Sequence, residues 1–371
     1  MPRRPRYVIA VHGGAGDHPE EHDRAVRRAL RSALAIGRDT NVTVLDVVQD
    51  AVMALEDDPV LNAGYGSNLT TDGRVECDAA LMRGADGAFG SVGAVSGVKN
   101  PIRLAGAILD ASRRPRVLGR VPPLTLVGEG ARQFASQYGV ELVDPETLVA
   151  PHARELWEKW SVRLAEVEAG ATLTEDEKMG GMQDTVGAVA WVEGEGMAAA
   201  VSSGGILLKL PGRLGEAAVY GAGCWATPNL ACSVSGTGED IVRTGLARTI
   251  VETIVARGTD ATHEVLHELL AETFWESSLA SGELEPSAGA LVMVRESDNS
   301  NEADENDSAL RLWCAFTTPS MAVGYTTSTA SKHKAVILRR PAELSASNCA
   351  ETGEGDRPKA RVYITTLSIE T

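Results

Sequence analysis

The sequence lacks the marks of three classes of protein. No apolar run reaches about 18 residues, the length of a membrane-spanning helix. The 5 cysteines are odd in number and include no C-x-x-C pair, which disfavours a disulfide framework and a structural zinc site. Basic residues are outnumbered, 35 against 51 acidic, and the net charge of -16 argues against nucleic acid or an anionic membrane as the main partner.

The amino-terminal segment also lacks a secretion signal. Its basic residues precede an apolar run of only about five residues, which is too short for the core of a signal peptide. Together with the absence of a disulfide pattern, this predicts an intracellular, cytoplasmic protein.

Helical and strand-like patterns alternate along the chain, and no segment repeats. Apolar residues at helical spacing predict helices such as 43–55 and a long helix from about 239 to 256. Short runs of small or β-branched residues, bounded by Gly and Pro, dominate after residue 185. This order predicts an α+β fold in which sheets pack face to face under helices. We expect 169–183 to have no fixed structure and 296–308 to form an acidic loop.

One threonine stands at an abrupt change from polar to apolar sequence, in the run QDTVGAV at 183–189. If the bond between Asp184 and Thr185 is cut, Thr185 carries a hydroxyl and a free amine on the same residue. An α-amino group with a pKa near ~8 can then take the hydroxyl proton, so that Thr185 is both nucleophile and base. Local sequence alone favours the simpler interpretation, a β-branched residue that opens a strand.

Three downstream motifs carry groups that such a nucleophile needs. Ser202 and Ser203 end a predicted strand and offer hydroxyls, and Arg213 offers a guanidinium that binds a carboxylate through two hydrogen bonds. The run SGTGE at 235–239 leads into the predicted long helix, whose N–H groups can face an anion. Taken singly, a turn before a helix is usually a cap and an Arg after Pro-Gly is usually a surface residue.

In this order the motifs resemble the plant-type asparaginase superfamily of N-terminal nucleophile hydrolases, and within it taspase, the threonine aspartase. The resemblance runs from Tyr7 to about Leu338. The Ser202-Ser203 pair and the block LEDDPVLNAGYGSNL favour the taspase branch. The matching motifs are HGGAG at 12–16, NAGYGSN at 62–68, ECDA at 76–79, DTVGAV at 184–189, AAAVSSGG at 198–205, PGRLG at 211–215, GAGCWA at 221–226 and SGTGE at 235–239.

The resemblance implies a four-layer αββα sandwich and a single catalytic domain that cleaves itself into an α subunit, 1–184, and a β subunit, 185–371. Such αβ units pair in the family. No cofactor and no metal is implied. The roles carried over are the nucleophile Thr185, a neighbouring hydroxyl at Ser203, a carboxylate clamp at Arg213, an oxyanion amide at Asn62, substrate contacts at Ser235, Gly236 and Gly238, and an active-site loop at Gly13 and Gly14.

Glu216 departs from both branches of the family. Plant-type asparaginases have an aspartate there that holds the substrate α-amino group, whereas taspase has a neutral residue. We predict that Glu216 is a substrate contact, because its carboxylate can still bind a substrate ammonium one methylene further out, and small amino-acid amides are therefore not excluded. Taspase also carries basic clusters suited to nuclear import, and 151–183 has few basic residues, so that the nucleus is only an alternative location.

From these features we predict first a threonine endopeptidase that cleaves protein substrates after aspartate. The alternative is an L-asparaginase or β-aspartyl (isoaspartyl) peptidase that acts on small amides. A third hypothesis, from another class, is a binding protein that is never processed. The run HEVLH at 263–267 fits the zinc motif H-E-x-x-H, but no third ligand follows it and its apolar residues suit helix packing.

Overall fold

The computed structural model describes residues 5–35, 43–172, 185–283, 285–296, 309–341 and 360–369. Asp184 lies outside this range. So do the predicted flexible segment and the acidic loop, except for residues 169–172 and Glu296.

The larger sheet has eight strands in the order β12-β11-β1-β5-β6-β2-β3-β4. Only the short β4 is parallel to its neighbour; the other described pairs are antiparallel. The strands are β1 (Tyr7–Gly16), β2 (Cys77–Arg83), β3 (Phe89–Val95), β4 (Thr125–Val127), β5 (Val186–Val192), β6 (Gly196–Ser203), β11 (Ser320–Thr327) and β12 (Lys334–Arg339).

The smaller sheet is antiparallel, in the order β13-β10-β9-β8-β7. Contacts of β8 with β5 and β6, and of β9 with β1, join it to the larger sheet. Its strands are β7 (Cys224–Ala226), β8 (Leu230–Gly236), β9 (Ala288–Arg295), β10 (Leu310–Phe316) and β13 (Tyr363–Leu367).

Helices come from both halves of the described chain. They are α1 (Asp23–Ala33), α2 (Val44–Glu56), α3 (Pro101–Ser112), α4 (Gly128–Gln137), α5 (Pro151–Glu168), α6 (Gly238–Thr244), α7 (Leu246–Arg257), α8 (Thr262–Glu268) and α9 (Trp275–Ala280), the last two joined by a π-helical turn, Leu269–Phe274. The predicted helix at 43–55 is α2, which begins with a capping box between Thr43 and Asp46. The predicted long helix at 239–256 is wrong in one respect, because Gly245 adopts a left-handed conformation and separates α6 from α7.

The central strands of the larger sheet are buried on both faces. Side chains of a strand alternate between its faces, and in β1 Val8 and Ala10 pack with the smaller sheet while Ile9 and Val11 pack on the helix side. Helices α1 to α3 contact the larger sheet, and α7 contacts β7 and β8 of the smaller one. The prediction of a mixed α+β fold is confirmed.

Candidate active site

Thr185 lies at the end of a central strand of the larger sheet. It immediately precedes β5, and only 3% of its surface is exposed. The ladder between β1 and β5 ends at the pair His12 and Gly187. Gly13 and Gly14 therefore follow the last pair on one strand, as Thr185 precedes it on the other. Burial at a strand end keeps the Thr185 hydroxyl in a fixed, largely dry environment.

The Thr185 hydroxyl contacts two side chains. Its Oγ1 lies 2.5 Å from Oε1 of Glu216 and 3.1 Å from Oγ of Ser203. A hydroxyl has one proton, and the shorter contact, to the carboxylate, is the one to which it donates. The Ser203 oxygen accepts from the Gly205 N–H at 3.0 Å. The Ser203 proton is therefore available to Oγ1 of Thr185, and Thr185 both donates and accepts.

Glu216 is a buried carboxyl group beside the candidate nucleophile. It opens a single 3₁₀ turn, Glu216–Ala218, and is 3% exposed. Burial raises its pKa above the ordinary glutamate value, and the Thr185 hydrogen bond and the Arg213 charge oppose that rise. The sequence predicted a substrate contact for this residue. The structure places it against the Thr185 hydroxyl.

Arg213 is held by a carboxylate that the sequence analysis did not assign. Its Nε and Nη2 donate to the two carboxylate oxygens of Glu239 at 2.8 and 2.6 Å. Burial raises the pKa of Glu239, but the Arg213 hydrogen bond and charge outweigh it and leave that pKa below its ordinary value. An acidic residue in the first turn of a helix is ordinary, so its sequence position gave no further signal.

A small pocket joins these groups. A Cβ atom on Gly238 would lie 2.6 Å from Nη2 of Arg213 and 2.8 Å from Oε2 of Glu216. A side chain at this position would therefore displace the ends of both the Arg213 and the Glu216 side chains. The pocket is lined by Asn62, Thr185, Ser203, Gly205, Ile206, Arg213, Glu216, Gly236 and Gly238.

Asn62 lines the pocket with its amide partly engaged. Its Nδ2 donates to the Gly205 carbonyl oxygen at 2.8 Å, and its Oδ1 accepts from the Asn68 N–H at 2.9 Å. An amide nitrogen has two protons, so one remains for an oxyanion in the pocket. This geometry fits the predicted role of an oxyanion amide, because the two hydrogen bonds hold the Asn62 amide in place.

Not every predicted residue faces the pocket. Ser235 is turned away, because its Oγ accepts from the Ala15 N–H at 3.1 Å and ties β8 to β1. Gly13 and Gly14 lie in β1 and are not among the pocket residues. Gly236 lines the pocket with a φ of 144°, where a Cβ would lie 2.0 Å from the Ser287 carbonyl oxygen.

Among the described residues, no group of three or more His, Cys, Asp or Glu side chains could hold a metal ion. His263 and His267, the pair in the zinc-like motif, both lie on α8. None of the described helices is long and apolar enough to cross a membrane.

The chain is similar in sequence to known proteins over most of its length. A family model described as asparaginase matches residues 5–275. The plant-type L-asparaginase of Pyrococcus abyssi is 36% identical over 283 residues, 73% of this chain and 88% of that protein. The isoaspartyl peptidase of Salmonella typhimurium is 38% identical over 277 residues, 71% and 84%. The human isoaspartyl peptidase/L-asparaginase is 37% identical over 246 residues, 65% and 74%.

The family expected from the motifs is confirmed, and with it a hydrolase. The relatives carry the names of the small-amide branch of the prediction, and closeness to taspase is not shown. The chain belongs to the plant-type asparaginase superfamily.

Proposed function

We propose that this protein is a self-activating threonine hydrolase of small aspartyl amides: L-asparagine, β-aspartyl peptides, or both. One observation carries the proposal. The Thr185 hydroxyl lies in a pocket that also presents a guanidinium, Arg213, and a carboxylate, Glu216. The α-carboxylate and α-ammonium of an amino acid are complementary to that pair. The relatives named as asparaginases and isoaspartyl peptidases support the same substrate class.

The fold proposed with this function is the four-layer αββα sandwich of the N-terminal nucleophile hydrolases. Support comes from the two sheets in contact and from the helices packed on the larger sheet and on β7 and β8. We propose a single catalytic domain whose αβ units pair, in the cytoplasm or the nucleus.

In the proposed reaction the free amine of Thr185 takes the hydroxyl proton, and Oγ1 attacks the side-chain amide carbon of the substrate. The tetrahedral oxyanion is stabilised by the remaining Nδ2 proton of Asn62. The leaving amine of the substrate departs with the transferred proton, and an aspartyl ester remains on Thr185. Water then attacks the ester, with the Thr185 amine again as base, and aspartate is released. Ser203 donates to Oγ1 and orients it.

The endopeptidase hypothesis uses the same machinery on a different substrate. Arg213 would hold the side-chain carboxylate of an aspartate within a peptide, which has no free ammonium at that residue. Glu216 would then be a buried carboxylate without a cationic partner on the substrate, which is costly. The relatives and the small pocket also favour the small-amide alternative.

The experiment is a substrate comparison with purified, processed protein. We expect turnover of L-asparagine or a β-aspartyl dipeptide and little cleavage of a peptide with an internal α-linked aspartate. Cleavage of that peptide without turnover of the small substrates would restore the endopeptidase hypothesis. A single unprocessed band on a denaturing gel, with none of these activities, would support the binding-protein hypothesis.

A further inference from the structure

The proposed mechanism has no base for its own first step. Before cleavage the nitrogen of Thr185 belongs to a peptide bond, in which its lone pair is delocalised and cannot take a proton. The amine that serves turnover therefore exists only after maturation. Self-cleavage requires another group that removes the Thr185 hydroxyl proton.

The described residues place one such group at the Thr185 hydroxyl. Glu216 Oε1 lies 2.5 Å from Oγ1, within the range in which a general base accepts a proton. The other polar side chains that line the pocket are Asn62, Ser203 and Arg213, none of which is a base at neutral pH. Lys209, which is also buried, donates to the Glu76 carbonyl oxygen at 2.5 Å instead.

We propose that Glu216 is the general base of self-cleavage, an assignment that rests on the proposed function. The carboxylate takes the Thr185 hydroxyl proton as Oγ1 attacks the carbonyl carbon of the preceding peptide bond. The C–N bond then breaks, and the nitrogen receives that proton from Glu216. An ester now joins the acyl group of residue 184 to Oγ1. Water hydrolyses it to a carboxyl terminus, a free hydroxyl and a free amine.

Maturation then changes the partner of Glu216. Once the Thr185 amine exists it becomes the base for turnover, and Glu216 is left to bind the substrate ammonium. One carboxylate thus serves two successive steps, first against the hydroxyl and later against the substrate. The extra methylene of glutamate relative to the family's aspartate gives the side chain a longer reach.

The charges around Glu216 predict how self-cleavage depends on pH. Arg213 favours the carboxylate, Asp78 disfavours it, and burial disfavours it most, so that the pKa is raised. Glu239 acts through Arg213, to which it is paired. The base must be deprotonated, so the rate of self-cleavage rises with pH through this raised pKa and falls on acidification. A Glu216→Gln variant should lose this dependence.

The test follows splitting of freshly translated, labelled chain on denaturing gels. For Glu216→Gln, which keeps the shape and removes the base, we expect splitting at least about 100-fold slower than in the unsubstituted chain. The matched control is Glu56→Gln, which alters another buried glutamate that is hydrogen-bonded to a serine, Ser202. It should split at the normal rate. Circular dichroism of both variants checks that they fold.

Two further measurements separate a base from a structural residue. Glu216→Ala should split faster when formate, a small carboxylate, is added, and Glu56→Ala should not respond. Hydroxylamine, which cleaves esters, should not release fragments from Glu216→Gln, because the ester has not formed.

The outcomes distinguish the two proposals. If the unsubstituted chain splits before Thr185 and folded Glu216→Gln splits equally fast, Glu216 is not the base while the proposed function stands. If the unsubstituted chain never splits, both proposals fail. Slow splitting of Glu216→Gln with formate rescue of Glu216→Ala supports both.

Discussion

Two consecutive serines end β6, one hydrogen-bonded directly to a buried glutamate and the other linked to a second buried glutamate through Thr185. Ser202 Oγ donates to Glu56 Oε1 at 2.7 Å, and the same carboxyl oxygen accepts from the Ile102 N–H at 3.0 Å. Ser203 instead faces Thr185, which contacts Glu216. Alternation along a strand sends neighbouring side chains to opposite faces.

The environment therefore decides the role of each glutamate. Through its Oε1, Glu56 joins α2 to the start of α3 and to β6, while its buried Oε2 has no hydrogen-bond partner among the described residues. Burial raises its pKa to about 8, with the Ser202 and Ile102 hydrogen bonds opposing, so that it is mostly protonated at neutral pH. Burial also raises the pKa of Glu216, but its partner is the Thr185 hydroxyl, and the Arg213 charge opposes the rise. The Glu56–Ser202 pair links a helix to the larger sheet, whereas Glu216 lies against the hydroxyl of the proposed nucleophile.

The largest effect should come from removing the hydroxyl of the proposed nucleophile, Thr185. Thr185→Ala has no hydroxyl and cannot split, so the chain should stay at 39.1 kDa on a denaturing gel. Thr185→Ser keeps a hydroxyl and should still split. Splitting of Thr185→Ala at the normal rate would show that the cut is made by another agent.

The next largest effect concerns the substrate clamp. Arg213→Ala, assayed after maturation, removes charge-assisted hydrogen bonds worth about 1.5–3 kcal/mol to the substrate carboxylate, so KM should rise roughly 10- to 100-fold. Arg213→Lys keeps the charge but lacks the planar guanidinium that donates two hydrogen bonds, so its KM should lie between those of the unsubstituted protein and Arg213→Ala. The control is Arg248→Ala, which removes a surface arginine paired with Glu252. An unchanged KM in Arg213→Ala would remove Arg213 from the site.

The two serines give the most direct contrast. Ser203→Ala loses the donor to Oγ1 and should slow both splitting and turnover about tenfold. Ser202→Ala should cost about 1 kcal/mol of stability, measured by chemical unfolding, and leave splitting and turnover nearly unchanged. Equal effects of the two substitutions on activity would contradict the division of roles.

The last prediction concerns stability and not activity: the free energy of unfolding should depend on pH through Glu56. The folded state binds the Glu56 proton more tightly than the unfolded state, since its pKa rises from 4.5 to about 8. Stability should therefore fall as pH rises from about 4.5 to about 8. Unfolding of Glu56→Gln across this range should lack that contribution. An identical pH profile in the two proteins would show that Glu56 does not titrate there.

The sequence predicted the groups of the site better than their partners. Thr185, Ser203 and Arg213 were predicted from residue chemistry and motif order, and they line one pocket. The partner of Arg213, Glu239, depends on how a loop and the start of α6 meet in space, which periodicity does not encode. Periodicity also does not encode the orientation of the Ser235 side chain toward the Ala15 N–H.

The fold was predicted in class and missed in several elements. Strong periodicity predicted α2, whereas the break at Gly245 inside an apolar helical pattern gave no periodic signal. Small residues fit more than one conformation, and one such run after residue 185 forms a 3₁₀ turn, Glu216–Ala218, before β7 begins at Cys224. The partly polar α5 was not predicted, because Ala153 is its one buried residue and the helix lacks the apolar stripe of a packed helix.

The central claim is that Thr185 becomes a chain terminus. The most direct measurement is the amino-terminal residue and intact mass of each fragment of the purified protein after incubation at neutral pH. The account predicts a fragment that begins at Thr185 and another that ends at Asp184. An intact chain, or a cut at any other bond, would contradict it.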